Sequence, residues 1–73
     1  MTERQIKSIC ADLLVTIDVG ESFSEVLSLY LYNYFVYEKG LGSEDAEKAT
    51  ADIFEKYETT IKDYEDMFYK SIA

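Results

Sequence analysis

Two kinds of side chain in this sequence could do chemistry: a single thiol, Cys10, and fifteen carboxylates. Proton transfer near neutral pH is most often the work of histidine, and the sequence has none. A cysteine nucleophile needs a neighbouring base or cation to hold it as thiolate. Cys10 instead shares an apolar stripe with Ile6, Ile9, Leu13 and Ile17, which makes it a buried structural thiol. Pairs such as Glu55 with Glu58, or Asp63 with Asp66, could hold a hard cation. They fall among lysines on the polar side of a helical pattern, so surface charge accounts for them. One thiol without imidazoles cannot build a tetrahedral zinc site, and neither EF-hand nor phosphate-loop spacing occurs. The expectation is a protein without catalytic, cofactor or metal residues.

Charge restricts partners further. Fifteen acids against seven bases leave −8 on 73 residues. That field repels nucleic acid and anionic lipid and attracts basic surfaces. The glycine-bounded turn Gly40-Leu41-Gly42-Ser43 invites comparison with helix-turn-helix proteins, whose second helix meets DNA with its first residues. Here those residues are Glu44, Asp45 and Glu47, so direct nucleic-acid binding is not expected. No apolar run approaches the roughly 20 residues that span a bilayer. Asp12 interrupts the only N-terminal candidate for a signal sequence, and a single cysteine fits a reducing compartment. A cytoplasmic protein away from membranes is the expectation.

The elements follow from glycines and helix-start signals. Gly20 and the Gly40/Gly42 pair divide the chain into three segments. Thr2 with Gln5, and Ser22 with Glu25, have capping-box spacing, while Ser43 before Glu44 and Asp45 reads as a hydroxyl N-cap. Gly40 suits a left-handed C′ position, with Leu41 set to touch Val36 as in a Schellman motif. The spacing predicts an all-α fold: a small antiparallel three-helix bundle, one domain over 1–73, with helices at about 3–19, 22–39 and 43–72. The third carries Ala46, Ala49, Ile53, Tyr57, Thr60, Ile61, Tyr64, Met67, Phe68 and Ile72 on one face. Glu44–Lys48, Asp52–Lys56, Glu58–Lys62 and Asp66–Lys70 fall opposite, as i,i+4 pairs. A straight helix there would measure about 45 Å. The competing arrangement bends it near Thr59-Thr60 to complete a four-helix bundle. The run Leu29–Tyr37 has β propensity, but a strand there would have no partner elsewhere in the chain.

The second segment is apolar over more than half its circumference, and the third outruns the other two. Both features ask for more covering than one short chain provides. The expected apolar interface is Tyr32, Phe35, Val36, Tyr64, Met67, Phe68 and Ile72, and seven tyrosines suit such a surface. Glu47, Glu55, Asp63 and Glu65, which have no i,i+4 lysine, would be the leading acids to face a basic partner. The functional expectation is a non-enzymatic interaction protein, self-associating as a dimer. It would regulate or inhibit a protein partner with a basic surface, competing there with nucleic acid. Small acidic helical inhibitors from bacteriophages share this size and charge, a likeness of kind carried by no motif. The alternatives are a subunit of a larger permanent assembly and a bundle of the bacteriocin-immunity type.

Overall fold

The computed structural model describes residues 1–72 and is all-α: α1 (Glu3–Thr16), α2 (Phe23–Asn33), α3 (Ser43–Lys56) and α4 (Glu58–Ile72). The three-helix expectation is therefore corrected to four, because the long C-terminal helix divides at Tyr57. That residue has φ −113° and ψ 30°, outside the helical well, although neither glycine nor proline is nearby. Packing explains the break. The molecule extends 38 Å along its longest axis, less than the roughly 45 Å a straight 30-residue helix would need. Turning at Tyr57 leaves α3 against α2 and brings α4 against α1. The bonds on either side of the break are kept, with Tyr57 N–H donating to Ile53 C=O at 3.0 Å and Ile61 N–H to Tyr57 C=O at 2.9 Å. Tyr57 Oη then donates to the carbonyl of Met1 at 3.0 Å, tying the chain's start to the junction. The competing expectation, a bend near Thr59-Thr60 that yields four helices, is the one found, with the break two residues earlier.

Helix ends are set locally. At the start of α1, Thr2 N–H donates to Gln5 Oε1 at 2.8 Å and Gln5 N–H to Thr2 Oγ1 at 3.2 Å, the complete capping box. At α2 only half of the box forms: Glu25 N–H donates to Ser22 Oγ at 3.5 Å. Gly42, not Ser43, caps α3. Ser43 begins the helix, and its hydroxyl accepts from Tyr32 Oη at 2.9 Å. The first helix stops at Thr16 rather than 19. Val15, Thr16 and Ile17 are β-branched and stiff in a helix, and Ile17 is already extended at ψ 140°.

The second helix keeps turning to Glu38, but Tyr34–Glu38 winds as a π-helix. Lys39 N–H donates to Tyr34 C=O, and Leu41 N–H to Phe35 C=O at 3.0 Å. The wider winding moves the closing bond to Phe35, one residue before the carbonyl that an α-helical Schellman end would use. Gly40, at φ 68°, makes the turn in a conformation that side chains disfavour.

One apolar cluster joins all four helices: Ile6, Cys10 and Leu13, then Phe23, Leu27 and Leu31, with Ile53, Ile61 and Phe68. Thr50, buried on α3, satisfies its hydroxyl on Ala46 C=O at 2.8 Å. No helix among the described residues is long and apolar enough to cross a membrane.

Candidate interaction surface

The expected apolar interface divides into four groups. Phe68 is only 2% exposed. Its ring lies 5.9 Å from that of Phe23, so this residue completes the chain's own core, and the expectation of a docking residue there is corrected. Tyr64 and Phe35 are half-buried against the same core, and Val36 is half-buried on the π-helical turn. Met67, 47% exposed, and Ile72, 37% exposed, do face solvent. The reason is rotation. Once the helix breaks at Tyr57, α4 turns a narrow seam of Tyr57, Ile61, Tyr64 and Phe68 inward, and Met67 stands about 100° away from it.

Tyr32 takes a different position. It is half-buried and lines a groove of about 570 Å³ between α2 and α3. Glu25, Ser28, Leu29 and Tyr32 form the α2 wall; Glu47, Thr50, Ala51 and Phe54 form the α3 wall. Tyr32 near the end of α2 bonds Ser43 at the start of α3, and Phe54 near the end of α3 borders the same hollow as Ser24 near the start of α2, so the two helices run antiparallel. Small residues open the groove: Ser28 and Ala51 leave room that larger side chains would fill, beside Leu29, which is 61% exposed. Phe54 also borders a second hollow of about 390 Å³, where Ser24 meets Glu58, Ile61, Lys62 and Glu65.

Of the expected acids, Glu47 and Glu65 thus border depressions, whereas Glu55 and Asp63 are exposed on α3 and α4. Glu25 and Glu58 also border them; helical spacing placed these two on polar strips and gave no hint of a groove. None of the four acid–lysine pairs expected along α3 and α4 closes among the described residues, where Glu3–Lys7 at 3.3 Å is the one ion pair. Exposed pairs of this kind contribute about 0–1 kcal/mol against the entropy of two long side chains. Lys56 instead lies 5.4 Å from the centre of the Tyr57 ring, and Lys39 lies 5.7 Å from that of Tyr34.

A further apolar set was not anticipated as exposed. Leu29, Tyr30 and Tyr37 stand on the outer side of α2 and its π-helical end, and Val15 and Val19 flank the first turn. Tyr30 and Tyr34 border a shallow hollow of about 260 Å³ against Ile9 and Asp12 of α1. Cys10 is wholly buried, and burial pushes its thiol up from 9.0 to about 11. A thiol so placed stays protonated at neutral pH, which leaves it packing rather than attacking. Comparison of the chain with protein-family models, curated proteins and solved structures finds no match.

Proposed function

We propose that this chain is a non-catalytic interaction protein that regulates or inhibits a protein partner carrying a basic surface. One observation carries the reading: solvent-accessible apolar groups, exposed Leu29 and half-buried Phe54, share the same walls with unpaired carboxylates. Leu29 and Phe54 line the α2–α3 groove, with Glu25 and Glu47 beside them. The wider surface supports it. Every carboxylate except the half-buried Glu65 is exposed, and among the described residues only Glu3 is tied to a cation. An acidic field this little compensated attracts cationic proteins from a distance, and adjacent apolar groups then hold what arrives. Nucleic acid is repelled by the same field, so competition for a basic nucleic-acid site on the partner is the inhibitory mode this reading favours. A reducing, cytoplasmic setting belongs to the proposal, supported by the lone buried thiol.

Affinity capture from the source cell, followed by titration of the purified partner, tests it. The partner should carry a basic surface, and its affinity should fall steeply between about 50 and about 300 mM salt, as the Debye length contracts. An affinity indifferent to salt overturns the electrostatic reading. Dimerisation is the second part of the proposal. Tyr30 and Tyr37 on the outer side of α2, with Met67 and Ile72 on α4, are the exposed groups that support it. A strictly monomeric mass by light scattering at micromolar concentration rejects that part.

A further inference from the structure

Phe54 borders both the α2–α3 groove and a second hollow beside the start of α4. From Glu47 to Glu65 the two hollows follow two helical arms, the later part of α3 and the first half of α4, that meet at the break at Tyr57. Their apolar lining is Leu29, Ala51, Phe54 and Ile61, and their carboxylates are Glu25, Glu47, Glu58 and Glu65 against one cation, Lys62. Lining and charge together describe an occupant.

We propose that the groove and its neighbouring hollow dock a cationic amphipathic helix of a partner protein. The inference rests on the interaction reading above and names the partner element that the surface takes. Both walls are helices whose backbone groups are already paired within them, so an extended peptide finds no ladder to join. A helix satisfies its own backbone and lays an apolar stripe into the groove, as a third helix does between two others. Lysines or arginines flanking that stripe would then lie over Glu25 and Glu47. A second copy of this chain is the wrong occupant on charge, since at −8 it would bring acids against acids.

The test uses the full chain and three fluorescein-labelled synthetic peptides of about 18 residues, about five turns of helix. One has leucines at i, i+3, i+4 and i+7 flanked by lysines; the second scrambles the same residues; the third replaces lysine with glutamate. In fluorescence anisotropy the first should bind and become helical by circular dichroism, with the other two at least about tenfold weaker, a difference of about 1.4 kcal/mol. Leu29→Glu and Glu47→Lys should each weaken the first peptide by about tenfold or more, as changes within a buried contact do. Asp12→Lys makes the same charge change on α1 and should weaken it by less than about threefold, the share left to the general field. Where Leu29→Glu fails to fold, Ala51→Gln narrows the groove from the opposite wall and replaces it. Equal binding of the scrambled peptide, or equal losses in Asp12→Lys and Glu47→Lys, overturns the groove while leaving the acidic-surface reading standing. Binding of the first peptide that ignores salt and both charge reversals overturns that reading too. A dimer that Leu29→Glu dissolves and Tyr37→Ser does not assigns the groove to a second copy, and the proposal then falls.

Discussion

The two sides of α2 differ more in surroundings than in composition. Phe23, Leu27 and Leu31 point inward and are wholly buried, whereas Leu29 is 61% exposed and Tyr37, at the π-helical end, is 80% exposed. The buried three recur at i, i+4 and i+8, a stripe one residue wide, to which α1, α3 and α4 all contribute cover. The rest of the apolar circumference borders grooves or faces water. An apolar helix in a chain this small therefore holds two populations, one that makes the fold and one that the fold displays. The proposed function draws on the second, and the contrast can be tested by breaking each side in turn.

The largest effects belong to the inner side. Phe68→Ala removes the ring that meets Phe23 and should destabilise the fold by about 3–5 kcal/mol, with Leu27→Ala and Leu13→Ala costing about 2–5 kcal/mol each. Urea titration followed by circular dichroism measures this. A domain of this size holds only about 5 kcal/mol in reserve, so Phe68→Ala should be partly unfolded at 25 °C. A Phe68→Ala chain with wild-type stability would return that residue to the displayed set.

Burial of Cys10 provides a pH-dependent probe of the same core. Its thiol titrates at about 11 in the folded chain and near 9.0 in the unfolded one. Above pH 9 the unfolded state sheds its proton while the folded state keeps it, so stability falls as pH rises through that window. The loss is on the order of 2–3 kcal/mol, at about 1.4 kcal/mol for each tenfold difference in proton affinity, and is complete by about pH 11. Below pH 9 the contribution is fully present. Every other group is common to both proteins, so the quantity to measure is wild type against Cys10→Ala. The wild type should lose more stability by that amount between pH 8 and pH 11, and parallel curves would mean that Cys10 is reached by water.

Tyr57→Phe deletes the hydroxyl that reaches Met1 C=O and leaves the ring in place. A single neutral hydrogen bond contributes about 0.5–1.5 kcal/mol, and the loss should appear in thermal unfolding. If the bond also holds the bend, amide exchange at Glu58–Ile61 should quicken beyond the global change. Uniform quickening would mean that packing alone turns the helix.

What could be read from the sequence is what depends on near neighbours. Thr2 and Gln5 are three residues apart, Gly40 needs only its own missing Cβ, and Ile6, Cys10 and Leu13 share a stripe by helical geometry. Each is as expected in the structure. The break was legible only as the competing bend near Thr59-Thr60, and could not be preferred or placed at Tyr57, because its partner Met1 is 56 residues away and no helix-breaking residue marks it. Misplacing Phe68 followed directly, since a straight helix carries it beyond the bundle. The groove was hidden for a related reason. Ser28, Ala51 and Phe54 are ordinary residues on their own helices and enclose space only when α2 and α3 lie antiparallel. Acid–lysine spacing, by contrast, was legible and misleading, because spacing permits an exposed pair without repaying the entropy of forming it.

The smallest stability effects should come from the outer side of α2, and they bear most directly on function. Leu29→Ser and Tyr37→Ser alter groups that already stand in water, so each should leave urea stability within about 0.5 kcal/mol of wild type. Their solution behaviour should nevertheless separate. Tyr37→Ser removes an aromatic from the face assigned to dimerisation and should lower the weight-average mass at micromolar concentration. Leu29→Ser changes the groove wall and should leave that mass unaltered while weakening a bound cationic helix. A chain in which both substitutions cost several kcal/mol would have no displayed side of α2 at all. A chain in which both are silent in stability, mass and binding would keep its partner surface elsewhere, on the carboxylates of α3 and α4 alone.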